Sequence, residues 1–245
     1  LLVKGRAPMT GYSRGQFGPD WPELGNTGCD ARNRVLARDL KGVTYRPVTG
    51  SCVVETGTLA EPYRGITIHF QRGTSTSGRV QIDHVVALGD AWQTGAQQWT
   101  PTVRLTYAND LLVLLAVDGP VNAQKGDADA ASWLPPNKAY RCSYVARQVS
   151  IKLKYRLWVT AAERDAIARI LTSCPGQALP AAGAAAPAPI ASAAPNPSHA
   201  APGSSAAVYY ANCAAVRAAG KAPLLRDQPG YRAALDGDGN GVACQ

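Results

Sequence analysis

Apolar and polar positions along the first 174 residues switch repeatedly between a helical and an extended period. Residues 31–40 (ARNRVLARDL) follow Asp30 as a possible N-cap and read as a helix. Ile66, Ile68 and Phe70 alternate with Thr67 and His69, the pattern of a half-buried strand. The stretch from Val80 to Val86 is rich in β-branched residues and follows the turn-forming TSTSG, which predicts a second strand. Trp92 and Trp99, seven residues apart, are expected on one helix face. Pro101 after Thr100 suits a helix start running toward Asn109. Leu111 to Val117 (LLVLLAV) is a continuous apolar run of strand length, stopped by Asp118-Gly119-Pro120. A short helix is expected from near Val121, carrying Asn122 and Lys125. Residues 138–157 read as a long basic helix, and Thr160-Ala-Ala-Glu163 as a capping box opening a last helix that Cys174-Pro175 closes. Strands and helices in this mixed order predict an α+β domain.

Composition divides the chain. From Pro175 to Ala207 the sequence is dominated by Ala, Pro, Ser and Gly and contains no Lys, Arg, Asp or Glu. Such a segment lacks the apolar periodicity needed to bury a core and reads as an extended linker. The expected organisation is a domain over 1–174, a linker over 175–207 and a small module over 208–245. A module that small needs a staple or a metal. The six cysteines (29, 52, 142, 174, 213, 244) never form a CxxC pair, which disfavours zinc and suits disulfides in an oxidising compartment. Six cysteines allow 15 pairings. Sequential pairing is preferred because each bridge then closes one local segment.

The net charge of +8 sits in the front of the chain, where the first 175 residues hold 21 of the 25 Lys and Arg but 14 of the 17 Asp and Glu. That balance favours a polyanionic partner such as nucleic acid or an anionic cell surface. No apolar run is long enough to cross a membrane. The start at Leu1 suits a mature secreted chain after loss of a signal peptide, and a shortened chain equally well.

Asp83-His84 is the candidate chemistry. A histidine at a strand end can take a proton from water near neutral pH, and the neighbouring carboxylate can hold a hard divalent cation. Phosphodiester hydrolysis needs both. On residue type alone, Asn109 could equally close a helix or fill a turn, and Asn122 could be an N-cap after Pro120. Lys125 could be a solvated surface lysine, and Asp127 and Asp129 turn residues. His69 reads as structural or exposed, and His199 lies in the linker.

The stretches RVQIDHVVALGDAW (79–92), YANDLLVLLAVDGPVNAQKGDADAASWLPP (107–136) and CSYVARQVSIKLKY (142–155) resemble the HNH, or ββα-metal, endonucleases. The resemblance is closest to a secreted bacterial branch related to the nuclease domain of GmrSD-type restriction enzymes. It implies a mostly helical nuclease domain built around a ββα-metal motif. Within it His84 would be the general base, and Asp83 and Asn122 the protein ligands of Mg²⁺ or Mn²⁺. Asn109 would brace the loop and orient the histidine, while Lys125 and Asp127 would contact phosphate or support the metal. The basic residues Arg147, Lys152, Lys154 and Arg156 would track the phosphate backbone or form a solvated helix face.

Near the C-terminus, Asp236-Gly-Asp238-Gly-Asn240-Gly241 sets oxygen ligands at alternate positions, the opening of an EF-hand-like calcium loop. Residues 209–245 resemble the excalibur calcium-binding module, with Cys213 and Cys244 as its staple. Asn240 and Gln245 stand where that pattern has acidic residues, which predicts weak Ca²⁺ binding or none. The expected function is a secreted, monomeric, metal-dependent endonuclease acting on DNA, or on RNA as well, with low sequence specificity. The alternative is a non-enzymatic, calcium-dependent extracellular protein that binds DNA or the cell surface.

Overall fold

The computed structural model describes residues 1–23, 28–47, 52–180, 210, 213–225, 228–232, 235 and 242–244. It resolves into two compact units, Leu1–Ala191 and Ser192–Gln245, divided inside the Ala/Pro-rich stretch.

In the first unit, helix α1 (Ala31–Asp39) starts as expected, with the Asp30 side chain accepting from the Asn33 amide at 2.7 Å. Strands β1 (Leu40–Tyr45), β2 (Val54–Glu61) and β3 (Ile66–Gln71) form an antiparallel sheet in that order. Alternate residues Leu59, Ile68 and Phe70 point into a core shared with Val35 and Leu36 of α1. His69 is exposed and lies within reach of the Thr58 hydroxyl.

A separate two-stranded hairpin pairs β4 (Val80–His84) with β5 (Leu114–Asp118), with Asp83 opposite Leu115 and His84 opposite Leu114. One face of the hairpin, with Val80, Ile82, Leu114 and Ala116, packs on the three-stranded sheet. The other, with Leu115 and Val117, packs on the helical side of the unit. A strand covered on both faces needs apolar residues at every position, which is why LLVLLAV is uninterrupted. The strand begins only at Leu114, three residues into that run. The turn before it is held by Arg147, whose guanidinium donates to the carbonyls of Leu111, Leu112 and Leu114, and by Arg38, which donates to Leu111 and Leu114.

The helices are α2 (Leu88–Gln93), α3 (Pro101–Ala108), α4 (Gly119–Lys125), α5 (Arg141–Tyr155) and α6 (Ala161–Thr172). Thr100 caps α3 through the Val103 amide, as its sequence predicts. Asp118 caps α4 through the Val121 amide, so that helix starts two residues earlier than expected. Gly119 is required there, because a Cβ would stand 2.2 Å from the Gly78 carbonyl oxygen. Trp92 and Trp99 do not share a helix: α2 ends at Gln93 and a separate turn intervenes before α3.

The three disulfides, Cys29–Cys52, Cys142–Cys174 and Cys213–Cys244, follow the sequential pairing. In the second unit, α7 (Cys213–Ala218) packs with a short pair of strands, β6 (Leu224–Leu225) and β7 (Val242–Ala243), around Val216, Leu224 and Ala243. The proposed calcium ligands Asp236, Asp238 and Asn240 lie outside the described residues.

Candidate active site

The order β4–β5–α4 is a strand–strand–helix unit, and its spacing sets the site. Side chains two apart on a strand share a face, and those three apart on a helix do too. Gln81 and Asp83 therefore meet Asn122 and Lys125. Asn122 Nδ2 donates to Gln81 Oε1 at 2.9 Å, and Lys125 Nζ to Asp83 Oδ1 at 2.8 Å. Because its amide nitrogen is spent on Gln81, Asn122 keeps its carbonyl oxygen available.

Asp83 is buried and holds a second partner, the Tyr63 hydroxyl, which donates to Oδ2 at 2.5 Å. Tyr63 sits in the turn after β2, where the buried Glu61 carboxylate accepts from the amides of Tyr63, Arg64 and Asp118. Burial first, and the Asp83 charge second, push the Tyr63 phenol well above its ordinary range, so it stays a donor. Each oxygen of Asp83 has one bond from these partners and retains a further lone pair.

His84 ends β4 and faces the other way. Its Nε2 lies 3.0 Å from the Ala108 carbonyl oxygen. A carbonyl only accepts, so Nε2 carries the hydrogen and Nδ1 of the neutral ring is left basic. Burial pushes the His84 pKa down to about 4, against the raising effect of Asp83. The imidazole is therefore neutral at pH 7. Asn109 closes α3 with its Nδ2 donating to the Leu105 carbonyl at 2.9 Å. The expected bracing of His84 thus comes from the backbone of the preceding residue. That backbone is secured in turn by Asp110, which accepts from Lys154 at 2.5 Å and Tyr155 at 2.6 Å.

A cleft of about 200 Å³ brings together Asp83, His84, Asn122 and Asp127, with Tyr12 and Arg14 opposite. Asp127 is exposed, and its Oδ1 accepts from the Gly89 amide at 3.2 Å. Only glycine permits that approach, since a Cβ at 89 would fall 2.5 Å from the Asp127 carboxylate.

Several expectations change here. Lys125 is 2 % exposed and bonds Asp83 and the His84 carbonyl, so it holds the carboxylate from inside the fold and is not a solvated surface lysine. Arg147 and Lys152 are buried and bind internal oxygens, and Lys154 is bound to Asp110. Arg147 and Lys152 therefore brace the fold, while Lys154 and Arg156 stay at the surface. Asp129 is buried, capping the Ala131 and Ser132 amides and pairing with Arg6 at 2.6 Å. Sequence reasoning passed over Tyr63, which lies outside the matching stretches, and gave no role to Gln81 and Gly89 inside the 79–92 stretch.

Among the described residues, one tight trio of metal-ligating side chains occurs, Asp90, Asp129 and Glu163. All three are buried, and Lys152 already bridges Asp90 at 2.9 Å and Glu163 at 2.8 Å. The cleft set of Asp83, Asn122 and Asp127 offers three oxygen-bearing side chains, which fits a cation that takes few protein oxygens and fills its shell with water and substrate, as Mg²⁺ does.

Residues 30–170 match the family described as GmrSD restriction endonucleases, C-terminal domain. The chain belongs to this family. The GmrSD match takes in β4, β5, α4 and every residue of the cleft except those of the N-terminal segment. Residues 210–244 match the Excalibur calcium-binding domain. A protein of Arthroderma benhamiae, described as an uncharacterized secreted protein, is 40% identical over 176 residues, covering 71% of this chain and 81% of its own length. That relative is fungal, which gives the expected bacterial branch no support. No solved structure matches the chain. No helix among the described residues is long and apolar enough to cross a membrane.

Proposed function

We propose that the first unit is a secreted, metal-dependent nuclease that hydrolyses phosphodiester bonds with His84 as general base. The observation that carries this reading is the division of labour at the end of β4. Asp83 faces Lys125 and Tyr63 on one side, while the neutral His84 ring is fixed by the Ala108 carbonyl on the other. With Nε2–H donating to that carbonyl, Nδ1 accepts a proton from a water in the cleft as the water attacks phosphorus, and the P–O bond to the leaving sugar oxygen breaks, that oxygen taking a proton from solvent. The fixed tautomer means no ring rotation precedes proton transfer.

Asp83, Asn122 and Asp127 are the residues that would hold Mg²⁺ or Mn²⁺. A bound cation would supply charge neutralisation for the phosphate oxygens. Lys125 and Tyr63 set the rotamer of Asp83, and the Lys125 charge offsets part of its own. Secretion is supported by the secreted relative and by three disulfides. The second unit is proposed to bind Ca²⁺ weakly through Asp236, Asp238 and Asn240, as an ion distinct from that of the nuclease site, and to assist attachment outside the cell.

The test is cleavage of supercoiled plasmid and of RNA by the purified chain across Mg²⁺, Mn²⁺, Ca²⁺ and Zn²⁺, with EDTA as control. Nicking that requires Mg²⁺ or Mn²⁺ and stops with EDTA is expected. Salt-sensitive retention of DNA without product in any metal would instead support the non-enzymatic binding reading.

A further inference from the structure

The cleft at His84 has two lobes. One contains Asp83, Asn122 and Asp127; the other contains Phe17, Trp21, Ala108 and Asn109. Arg14, His84 and Leu88 belong to both and form their junction. Apart from His84 and Ala108, the residues of the second lobe have no part in the proton transfer above. The lobe is small, about 20 Å³, too small to admit a base, so a flat group could only lie along its rim.

Its outer wall is the N-terminal segment, which precedes the family match at residue 30. That wall is firmly attached. Val3 bridges Val159, the Ala7 amide donates to the Gln93 carbonyl at 2.9 Å, and Arg6 pairs with Asp129 at 2.6 Å. Phe17 is buried in the core, and Arg104 Nε donates to the Gln16 carbonyl at 2.8 Å. Gly18 has φ 93°, and a Cβ there would stand 2.5 Å from Leu105 Cδ1, so the segment presses directly on α3.

Two side chains of this wall remain available. Trp21 is half-buried, and its ring lies nearly parallel to the His84 imidazole, at 13° with centroids 6.3 Å apart. Its φ of 50° is left-handed, a conformation bulky residues rarely adopt and one that persists only where the surroundings impose it. Arg14 is the one Lys or Arg among the described residues lining either lobe. Its side chain is 59% exposed, and Nε lies 3.2 Å from Asp20 Oδ1. In the lobe they frame, Asn109 Oδ1 is a buried acceptor with no hydrogen-bond partner.

We propose that the N-terminal segment builds a nucleotide subsite beside His84, in which Trp21 stacks an unpaired base and Arg14 contacts the adjoining phosphate. An aromatic face next to a cation suits a nucleotide, and stacking on an aromatic ring tolerates any base. A base inside a duplex has both faces covered, so it reaches Trp21 only when unstacked. The preferred substrate is then single-stranded or locally unpaired nucleic acid. This rests on the nuclease reading for its place beside the reacting phosphate, and it deepens that reading.

The experiment measures binding by the full chain carrying His84→Ala, using a labelled oligonucleotide either single-stranded or annealed to its complement. Adding Trp21→Ala should weaken single-strand binding about 10-fold while leaving duplex binding within about 2-fold, and Trp21→Phe should retain most of the affinity. Arg14→Ala should weaken both forms and flatten the salt dependence by about one phosphate contact. A 2-aminopurine base in the single strand should be quenched on binding to the protein with Trp21 intact, a readout that does not depend on how well Trp21→Ala folds. Equal loss on single strand and duplex, or no quenching, would overturn the subsite. A wild-type chain that binds and quenches yet cuts nothing in any metal would instead remove the nuclease reading and leave the subsite standing.

Discussion

Lys125 and Lys152 are both sealed from solvent, and each grips a carboxylate at 2.8–2.9 Å. Their surroundings differ. Lys125 holds Asp83, which has a hydroxyl partner in Tyr63 and borders an open cleft. Lys152 holds Asp90 and Glu163 inside the fold, where Arg6 and Asp129 complete a network joining the N-terminal segment, α2, α5, α6 and the loop after α4. A carboxylate that keeps lone pairs directed at a cleft can serve a ligand. One enclosed among fixed charges can only brace. The residue types are the same, and access decides the task.

The largest effect expected from breaking either site is on stability. Lys152→Met leaves buried carboxylates without their cation and should cost about 3–5 kcal/mol. Lys125→Met should cost less, because Tyr63 and cleft water still serve Asp83. Thermal melts with and without Mn²⁺ sharpen the contrast: the ion should raise Tm for Lys125→Met by more than for the wild type, and should not rescue Lys152→Met. Equal losses, or equal metal responses, would erase the distinction.

The second contrast is in pH. Burial, opposed by Lys152 and reinforced by Asp90, pushes the Glu163 pKa up to about 7. A carboxyl whose folded pKa exceeds its unfolded value contributes stability that is complete below the ordinary carboxylate range and lost as pH rises through 7. Glu163→Gln removes that titration. Its Tm relative to wild type should rise between about pH 4.5 and 7.5, corresponding to about 1–3 kcal/mol. A flat difference would show that Glu163 does not titrate in that window.

A smaller effect is expected at the cleft rim. Gly89→Ala places a methyl where the Asp127 carboxylate now lies, and this carboxylate must swing away. Weaker Mn²⁺ binding by a few-fold, with Tm nearly unchanged, is expected from calorimetry; unaltered binding would remove Asp127 from the ligand set.

Much of the frame was legible because its causes are local. Asp30, Thr100 and Thr160 cap helices as their positions predict, and Thr160 accepts from the Glu163 amide at 3.1 Å. The reciprocal half of that capping box fails because the Glu163 side chain is drawn inward to Lys152. The strand, apolar strand and short helix that become β4, β5 and α4 were also legible, from β-branched and apolar runs and the stop at Asp118-Gly119-Pro120. What remained hidden depends on contacts between distant segments. Tyr63 reaches Asp83 through a turn fixed by Glu61, Arg147 closes the turn before β5, and Trp21 arrives from a segment outside the family match. A basic helix and a brace of buried cations read alike in sequence, and only packing tells them apart.

The most direct test of the account is single-turnover cleavage of plasmid DNA in Mg²⁺ or Mn²⁺ by wild type and His84→Ala, each with and without added imidazole, alongside circular dichroism. With the fold retained, loss of the base should slow cleavage about 10²–10⁴-fold, and imidazole should restore part of the rate. Cleavage by His84→Ala at the wild-type rate would contradict the assignment of His84 as the general base.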